Sequence, residues 1–352
     1  MRTMSRALIV LCLLVWFAPA SALQSWTTGS TANVHTTHQY LLCLAGGGSD
    51  TGFSGAWRAM VNASGGGDVV VIRADGRRGG YESLIYHDDA NMNLASVDSV
   101  TTLLFESASD ADSQTTANLI RNAEMLFIAG GDQWDYVRWF KNSPVESAIE
   151  YLLYDKKVPV GGTSAGMALL GGIDYTARYT SPRPNADLVS SQDAIDYPHV
   201  NENVLDFDRT VVSPPLMDDI ITETHLDRRN KERYGRTVAL MAGATSQFGN
   251  LSVLDSRAIA AEEATATCVE SGGRARVYGP GKVYFAQGNG GIERLQVGRS
   301  LDWWANYQAV KVSVIQGSTQ GSDYFDISPW GQGTRDVQVE YWYVDRGQFG
   351  GY

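Results

Sequence analysis

Short apolar runs recur through the first half of the chain, and each stops at glycine. Tyr40 to Ala45 ends at Gly46-Gly47-Gly48, Val69 to Ile72 near Asp75-Gly76, Met125 to Ala129 at Gly130-Gly131-Asp132, and Val158 to Val160 at Gly161-Gly162. Runs without polar alternation suit strands buried on both faces. Helical patterns lie between them. Ser143-Pro144-Val145-Glu146 combines an N-cap serine, proline at the first helical position and glutamate at the third, which is a capping box. Val145, Ala148, Ile149, Leu152 and Leu153 then repeat at helical spacing. Strand, helix, strand in that order predicts an α/β fold with a mostly parallel sheet. Such folds bind ligands at the carboxyl ends of their strands, where these glycine turns fall.

Beyond about residue 245 the pattern changes. Arg274 to Tyr278 and Lys282 to Phe285 flank Gly279-Pro280-Gly281 and read as a hairpin. Gln308 to Gln316 and Asp336 to Val344 read as further strands. Residues 296–352 therefore form a β-rich C-terminal extension, sketched as a small sandwich module. Its Trp303, Trp304, Trp330 and Trp342 could line a binding surface, although a packed core is the commoner use of such rings.

The N-terminus reads as an export leader. Arg2 and Arg6 precede an apolar run of 11 residues, Ala7 to Phe17, and Ala20-Ser21-Ala22 offers small residues for cleavage after Ala22. The run is short for a membrane span; a retained anchor is the alternative. The expected organisation is a signal peptide at 1–22, a lead-in at 23–37, an α/β domain at 38–295 and the extension at 296–352. The expected destination is secreted or periplasmic, with no membrane association after cleavage.

Composition narrows the function. Hydrophobic content of 43% and charged content of 19% give an ordinary globular balance. Loss of Arg2 and Arg6 with the leader would take the net charge from −11 to −13. A chain so acidic is poorly suited to nucleic-acid phosphates. Of three cysteines, Cys12 leaves with the leader. Cys43 and Cys268 sit in apolar runs, and a disulfide between them is open in an oxidising compartment. No cysteine pair has zinc-ligand spacing, and no metal or organic cofactor is expected.

Gly162-Thr163-Ser164-Ala165-Gly166 carries the sharpest chemical signal. It follows a strand-like run and precedes Met167 to Leu170, which can continue a helix. A serine on such a turn exposes its hydroxyl above the sheet, and flanking glycines avoid a clash. Backbone N–H groups at the helix start can hold an oxyanion. A serine nucleophile needs a base, usually histidine. Of His35, His38, His87, His199 and His225, the last is the best placed: it ends the stretch Ile220 to Thr224, which would bring it to the same sheet edge. Ten acids separate Ser164 from His225, and pattern alone does not choose among them.

Together these segments resemble the cyanophycinases and their relatives, the aspartyl dipeptidases of the peptidase E type. Gly161 to Gly166 is similar to the family's nucleophile turn, and Phe127 to Gln133 to its preceding strand and Gly-Gly-Asp-Gln turn. Glu223-Thr224-His225-Leu226 resembles the family's histidine motif, and Arg229, Lys231 and Arg236 the basic residues that follow. Glu263 to Thr267 and Arg274 to Phe285 resemble closing strands. The resemblance spans roughly residues 39–290. The family's acid is a glutamate in a Ser-Ser-Gly-Glu stretch; Ser190-Ser191-Gln192-Asp193 is the similar stretch here, so the resemblance implies Asp193, with Glu202 and Asp196 as competitors.

The resemblance implies a class-I glutamine-amidotransferase-like sandwich and amide hydrolysis through an acyl-enzyme. Ser164, His225 and Asp193 would be catalytic, and N–H groups near Gly131 and Ala165 would hold the oxyanion. Gln133, Glu223, Thr224, Arg229, Lys231 and Arg236 would bind substrate, the basic residues meeting carboxylates and Glu223 meeting arginine side chains. The implied substrate is cyanophycin, poly-aspartate bearing arginine on each side-chain carboxyl, cut to β-aspartyl-arginine. An exported aspartyl peptidase for short peptides, or a non-catalytic binding protein on the same fold, are the alternatives. A homodimer is an assembly open to either.

Overall fold

The computed structural model describes residues 23–74, 78–184, 186, 188–209, 211–228, 233–334 and 337–352. The N-terminal leader, Arg229 and Lys231 lie outside the described residues.

The apolar runs become the centre of a ten-stranded sheet. In chain order its strands are β1 (Gln24–Gly29), β2 (Leu41–Ala45), β3 (Asp68–Arg73), β4 (Ser99–Leu104), β5 (Met125–Ile128) and β6 (Pro159–Thr163). Strand β2 is parallel to β6, β6 to β5, β5 to β3 and β3 to β4. Strand β1 pairs antiparallel with β4 at one edge. Every residue of β2, β5 and β6 is buried, as their lack of alternation requires.

Helices α1 (Ser54–Ser64), α2 (Ala108–Ala111), α3 (Gln114–Asn122), α4 (Gln133–Phe140) and α5 (Pro144–Tyr151) cross between these strands. Half of the capping box forms: the Ser143 hydroxyl accepts from the Glu146 amide, with proline at the helix start, while the Glu146 carboxylate accepts from the Asn142 amide instead of that of Ser143. Short α6 (Ala165–Ala168) follows β6 directly. No described helix is long and apolar enough to cross a membrane.

The second half builds a two-stranded ribbon, β7 (Asp174–Tyr175) with β8 (Phe207–Asp208), and between them α7 (Ser191–Asp196). Strand β9 (Ile220–Glu223) leads toward α8 (Tyr234–Gln247), then β10 (Arg257–Ala261), β11 (Ala266–Glu270), β12 (Arg274–Tyr278) and β13 (Lys282–Gly288). Strands β11 and β12 extend the large sheet antiparallel from β2. Strands β9 and β10 run parallel in a separate six-stranded sheet.

The extension does not form a module of its own. Strands β14 (Val310–Gln316), β17 (Gln338–Asp345) and β18 (Gln348–Gly351) continue the six-stranded sheet from β13. Strands β15 (Tyr324–Ile327) and β16 (Trp330–Gly333) continue the large sheet from β12. An apolar face repeating every second residue explains this: Val310, Val312 and Val314 join Trp342 and Val344 in one core with α8. Trp303 and Trp342 are buried there. Trp304 packs edge-on against the exposed Tyr307.

Cys43 and Cys268 face each other across β2 and β11 and form a disulfide, Cα to Cα 4.0 Å. It lies two residues before the carboxyl end of β2.

Candidate active site

Ser164 follows the last residue of β6, with φ 53° and ψ −119°. This conformation is costly for a residue with a side chain and occurs where the surroundings enforce it. The surroundings are backbone. A Cβ at Gly162 would lie 2.4 Å from the Gly166 oxygen, and one at Gly166 would lie 1.9 Å from the Ile128 oxygen. Only glycine fits either position, so the turn lifts the hydroxyl off the sheet end.

His225 comes to the same edge because β9 runs parallel to β10 and ends at Glu223. The Ser164 hydroxyl donates to His225 Nε2 over 2.7 Å. The other ring nitrogen, Nδ1, donates to Glu263 Oε1, also over 2.7 Å. Glu263 follows the end of β10, so two parallel neighbours deliver the imidazole and the carboxylate side by side.

The exit of β2 frames all three. The Ala45 carbonyl accepts from the Ser164 amide (3.1 Å), the Gly46 carbonyl from the His225 amide (2.7 Å) and the Gly47 carbonyl from the Ala264 amide (2.7 Å). Gly47 has φ +101°, and a Cβ there would fall 2.2 Å from His225 Cε1. The glycine run that stops the first apolar strand is thus the bed on which the histidine ring lies.

Asp193 is not at this site. Its carboxylate accepts from the Ser190 amide (3.0 Å), the Ser190 hydroxyl (2.8 Å) and the Ser181 hydroxyl (2.8 Å), and pairs with Arg183. It closes the capping box of α7. Burial pulls its pKa up, but the Ser190 and Ser181 hydrogen bonds and the Arg183 charge outweigh this and hold it below the usual carboxylate value. The competitors are also elsewhere: Glu202 caps the turn at His199 and meets the Gly298 amide, and Asp196 meets Arg183, Gln192 and Ser300.

Ser164 and His225 open into a cavity of about 430 Å³ shared with Gly131, Gln133, Ala165, Thr224 and Arg236. Two of the expected substrate contacts are already spent on each other. Arg236 donates to Glu223 through Nε (2.7 Å) and Nη2 (2.6 Å), and both are buried. Glu223 is therefore not free to meet a substrate guanidinium. The Gln133 amide is likewise turned to the Tyr175 carbonyl.

Two basic residues outside the expected set line the cavity instead, Arg228 and Arg233. Arg233 donates from Nη1 to the Thr224 carbonyl (2.9 Å) and hydroxyl (3.2 Å). Burial, then the neighbouring Arg236 charge, push its pKa down to about 9 against the pull of Glu223. Arg228, Arg233 and Arg236 line the cavity against the single lining carboxylate of Asp132, with Glu223 paired to Arg236, so this wall is positive and suited to an anion.

His225 has its pKa lowered, first by burial; the Glu263 hydrogen bond opposes this, while Arg233 and Arg228 add to it. A neutral imidazole flanked by a hydroxyl and a carboxylate can take the hydroxyl proton and keep the resulting imidazolium stable. The Ala165 amide begins α6 beside Ser164, and Gly131 lies across the cavity.

A hydroxyl on a strained strand-to-helix turn, in line with an imidazole and a carboxylate from two neighbouring strand ends, is a hydrolase-type arrangement. The chain is similar to the cyanophycinases of Synechococcus elongatus and Thermosynechococcus vestitus, 23% identical over 256 residues that cover 72% of this chain and 70% of each of them. A crystal structure of a peptidase from an acI-B1 Actinobacterium is similar over 71% of this chain and 91% of its own, with 16% identity and a TM-score of 0.46. No family model matches the chain.

Proposed function

We propose that this protein is a serine hydrolase of the cyanophycinase type, cleaving amide bonds through an acyl-enzyme. The observation that carries the proposal is the unbroken chain from Ser164 through His225 to Glu263, with both hydrogen bonds at 2.7 Å. His225 takes the Ser164 proton as Oγ attacks the carbonyl carbon. Amides near Ala165 and Gly131 receive the developing oxyanion. His225 then protonates the leaving amine, and water, activated by the same imidazole, releases the acyl group.

The substrate we propose is cyanophycin, released as β-aspartyl-arginine. The relatives' name supports this, and so does the cavity, whose size suits a dipeptide unit and whose Arg228 and Arg233 suit the free α-carboxylate of a side-chain arginine. Export is part of the same reading. The basic-apolar-small leader supports it, as does a buried disulfide, which persists in oxidising compartments. The test is incubation of the purified protein with cyanophycin and mass detection of β-aspartyl-arginine. Release by the wild type and none by S164A is expected. Cleavage of short aspartyl peptides without attack on the polymer would replace this substrate with the peptidase alternative.

A further inference from the structure

The turn that presents Glu263 is held from behind, and the hold runs to the C-terminal hairpin. Glu262, the preceding residue, faces away from His225. Its Oε2 accepts from the Lys282 amide (2.9 Å), and its own amide donates to the Lys282 carbonyl (3.1 Å). Its Oε1 accepts from the Tyr284 hydroxyl (2.8 Å) and from the Tyr234 hydroxyl (3.3 Å), and the two phenols are 2.9 Å apart. Both tyrosines are buried, and burial is the first cause of their raised pKa values. Trp342 of β17 covers them, 5.2 Å from the Tyr234 ring and 5.5 Å from that of Tyr284, and Phe349 of β18 backs Trp342 at 6.2 Å.

A polar cluster of this kind does no chemistry on a substrate, for Glu262 does not line the cavity. What it fixes is direction. Successive residues of an extended turn point to opposite sides, so anchoring Glu262 on β13 turns Glu263 toward the imidazole. Glu263 needs that help. Its side chain is 36% exposed, and an exposed glutamate otherwise spreads over several rotamers. The same cluster holds Tyr234, the neighbour of Arg233 on the cavity wall.

We propose that Glu262, Tyr284 and Tyr234, clamped by Trp342 and Phe349 of the C-terminal hairpin, are positioning residues for Glu263. The extension thereby serves the site without touching it. The inference rests on the reading of Glu263 as the partner of His225 in hydrolysis.

The test uses the full-length protein and the variants Y284F, E262Q and W342F, with folding checked by circular dichroism and thermal melting. A fluorophosphonate that phosphonylates activated serines reports on Ser164 without a peptide substrate. Displacing Glu263 should slow labelling about tenfold to a hundredfold, the effect of a misplacement near 1 Å. It should also move the acidic limb of the labelling rate to lower pH, because Glu263 raises the pKa of His225. A variant that merely lost folded protein would label more slowly with its limb unmoved. Folded variants that label at the wild-type rate with the wild-type limb overturn the proposal. Titration of the His225 ring by nitrogen NMR discriminates without any reaction: its pKa falls in Y284F and E262Q if they position Glu263, and stays if they do not. Absence of labelling in the wild type counts against the hydrolase reading, and the titration then decides the positioning role alone.

Discussion

Two acidic turns flank the candidate site, and their contrast explains which of them can serve a histidine. At Asp193 the carboxylate is turned into its own helix start, with two serine hydroxyls, an amide and Arg183 on it. Those partners hold it against the start of α7 and Arg183, away from the imidazole. At Glu263 the backbone is held by others: its amide donates to Asp227 Oδ1 (2.8 Å), and the next amide goes to Gly47. The side chain keeps its oxygens for His225. A carboxylate is free to act where neighbours supply the local hydrogen bonds, and is consumed where it must supply them itself.

The sharpest way to break this picture is at the proposed nucleophile, which the polymer-cleaving and short-peptide readings share. S164A should remove hydrolysis of any substrate the wild type cleaves, by a factor on the order of 10⁶ as in triads that act as a unit, with the melting temperature nearly unchanged. Residual turnover within tenfold of wild type would discard Ser164.

Next in size is E263Q. It keeps the shape but removes the charge that stabilises imidazolium, so kcat should fall by roughly 10³ to 10⁴. The pH profile carries the sign. His225 acts as base when neutral, so kcat/KM rises with pH through its pKa, which burial holds below the usual 6.5. Without Glu263, which raises that pKa, the acidic limb should move lower still. A limb that moves upward in E263Q would contradict the assigned partner.

A smaller effect is expected on the cavity wall. R233M keeps the apolar stem and loses a guanidinium aimed at a carboxylate. A hydrogen bond to a charged group contributes about 1.5–3 kcal/mol, so KM should rise roughly tenfold to a hundredfold with kcat little changed. Steady-state kinetics on substrates with and without a free carboxylate separate this from a general loss, since only the former should respond.

Much of this was legible in the sequence. Glycine after each apolar run located the strand ends, and the pentad around Ser164 needs its glycines for the clashes that the backbone would otherwise make. His225 followed from the same rule. Glu263 obeys it too, standing two residues past the end of β10. It was hidden because resemblance directs attention to acids between Ser164 and His225, and because Glu263 to Thr267 reads equally well as the start of a strand. The pairing of Glu223 with Arg236 was illegible for a different reason. A segment of 12 residues separates them, and only the return of α8 over β9 brings them together. The strands of the extension were visible individually. Their assignment to two different sheets depends on long-range pairing, which local pattern does not encode.

The smallest effect on chemistry, and the most direct test of the contrast, belongs to D193N. If Asp193 only closes the start of α7, its replacement leaves the acidic limb of kcat/KM where it is and changes kcat little. The cost should appear in stability, about 1–2 kcal/mol for a damaged cap. The pH dependence follows from the direction of the shift. The folded-state pKa of Asp193 lies below its ordinary 3.8, so its contribution is complete above that pH and disappears as pH falls through the lower folded value. The melting temperatures of wild type and D193N should therefore differ at pH 7 and converge toward pH 2–3 (roughly the range below that pKa). A drop in kcat comparable to that of E263Q, with the limb displaced, would return Asp193 to the site and make Glu263 the bystander. An unchanged limb with a pH-dependent stability gap leaves each carboxylate where its hydrogen bonds put it.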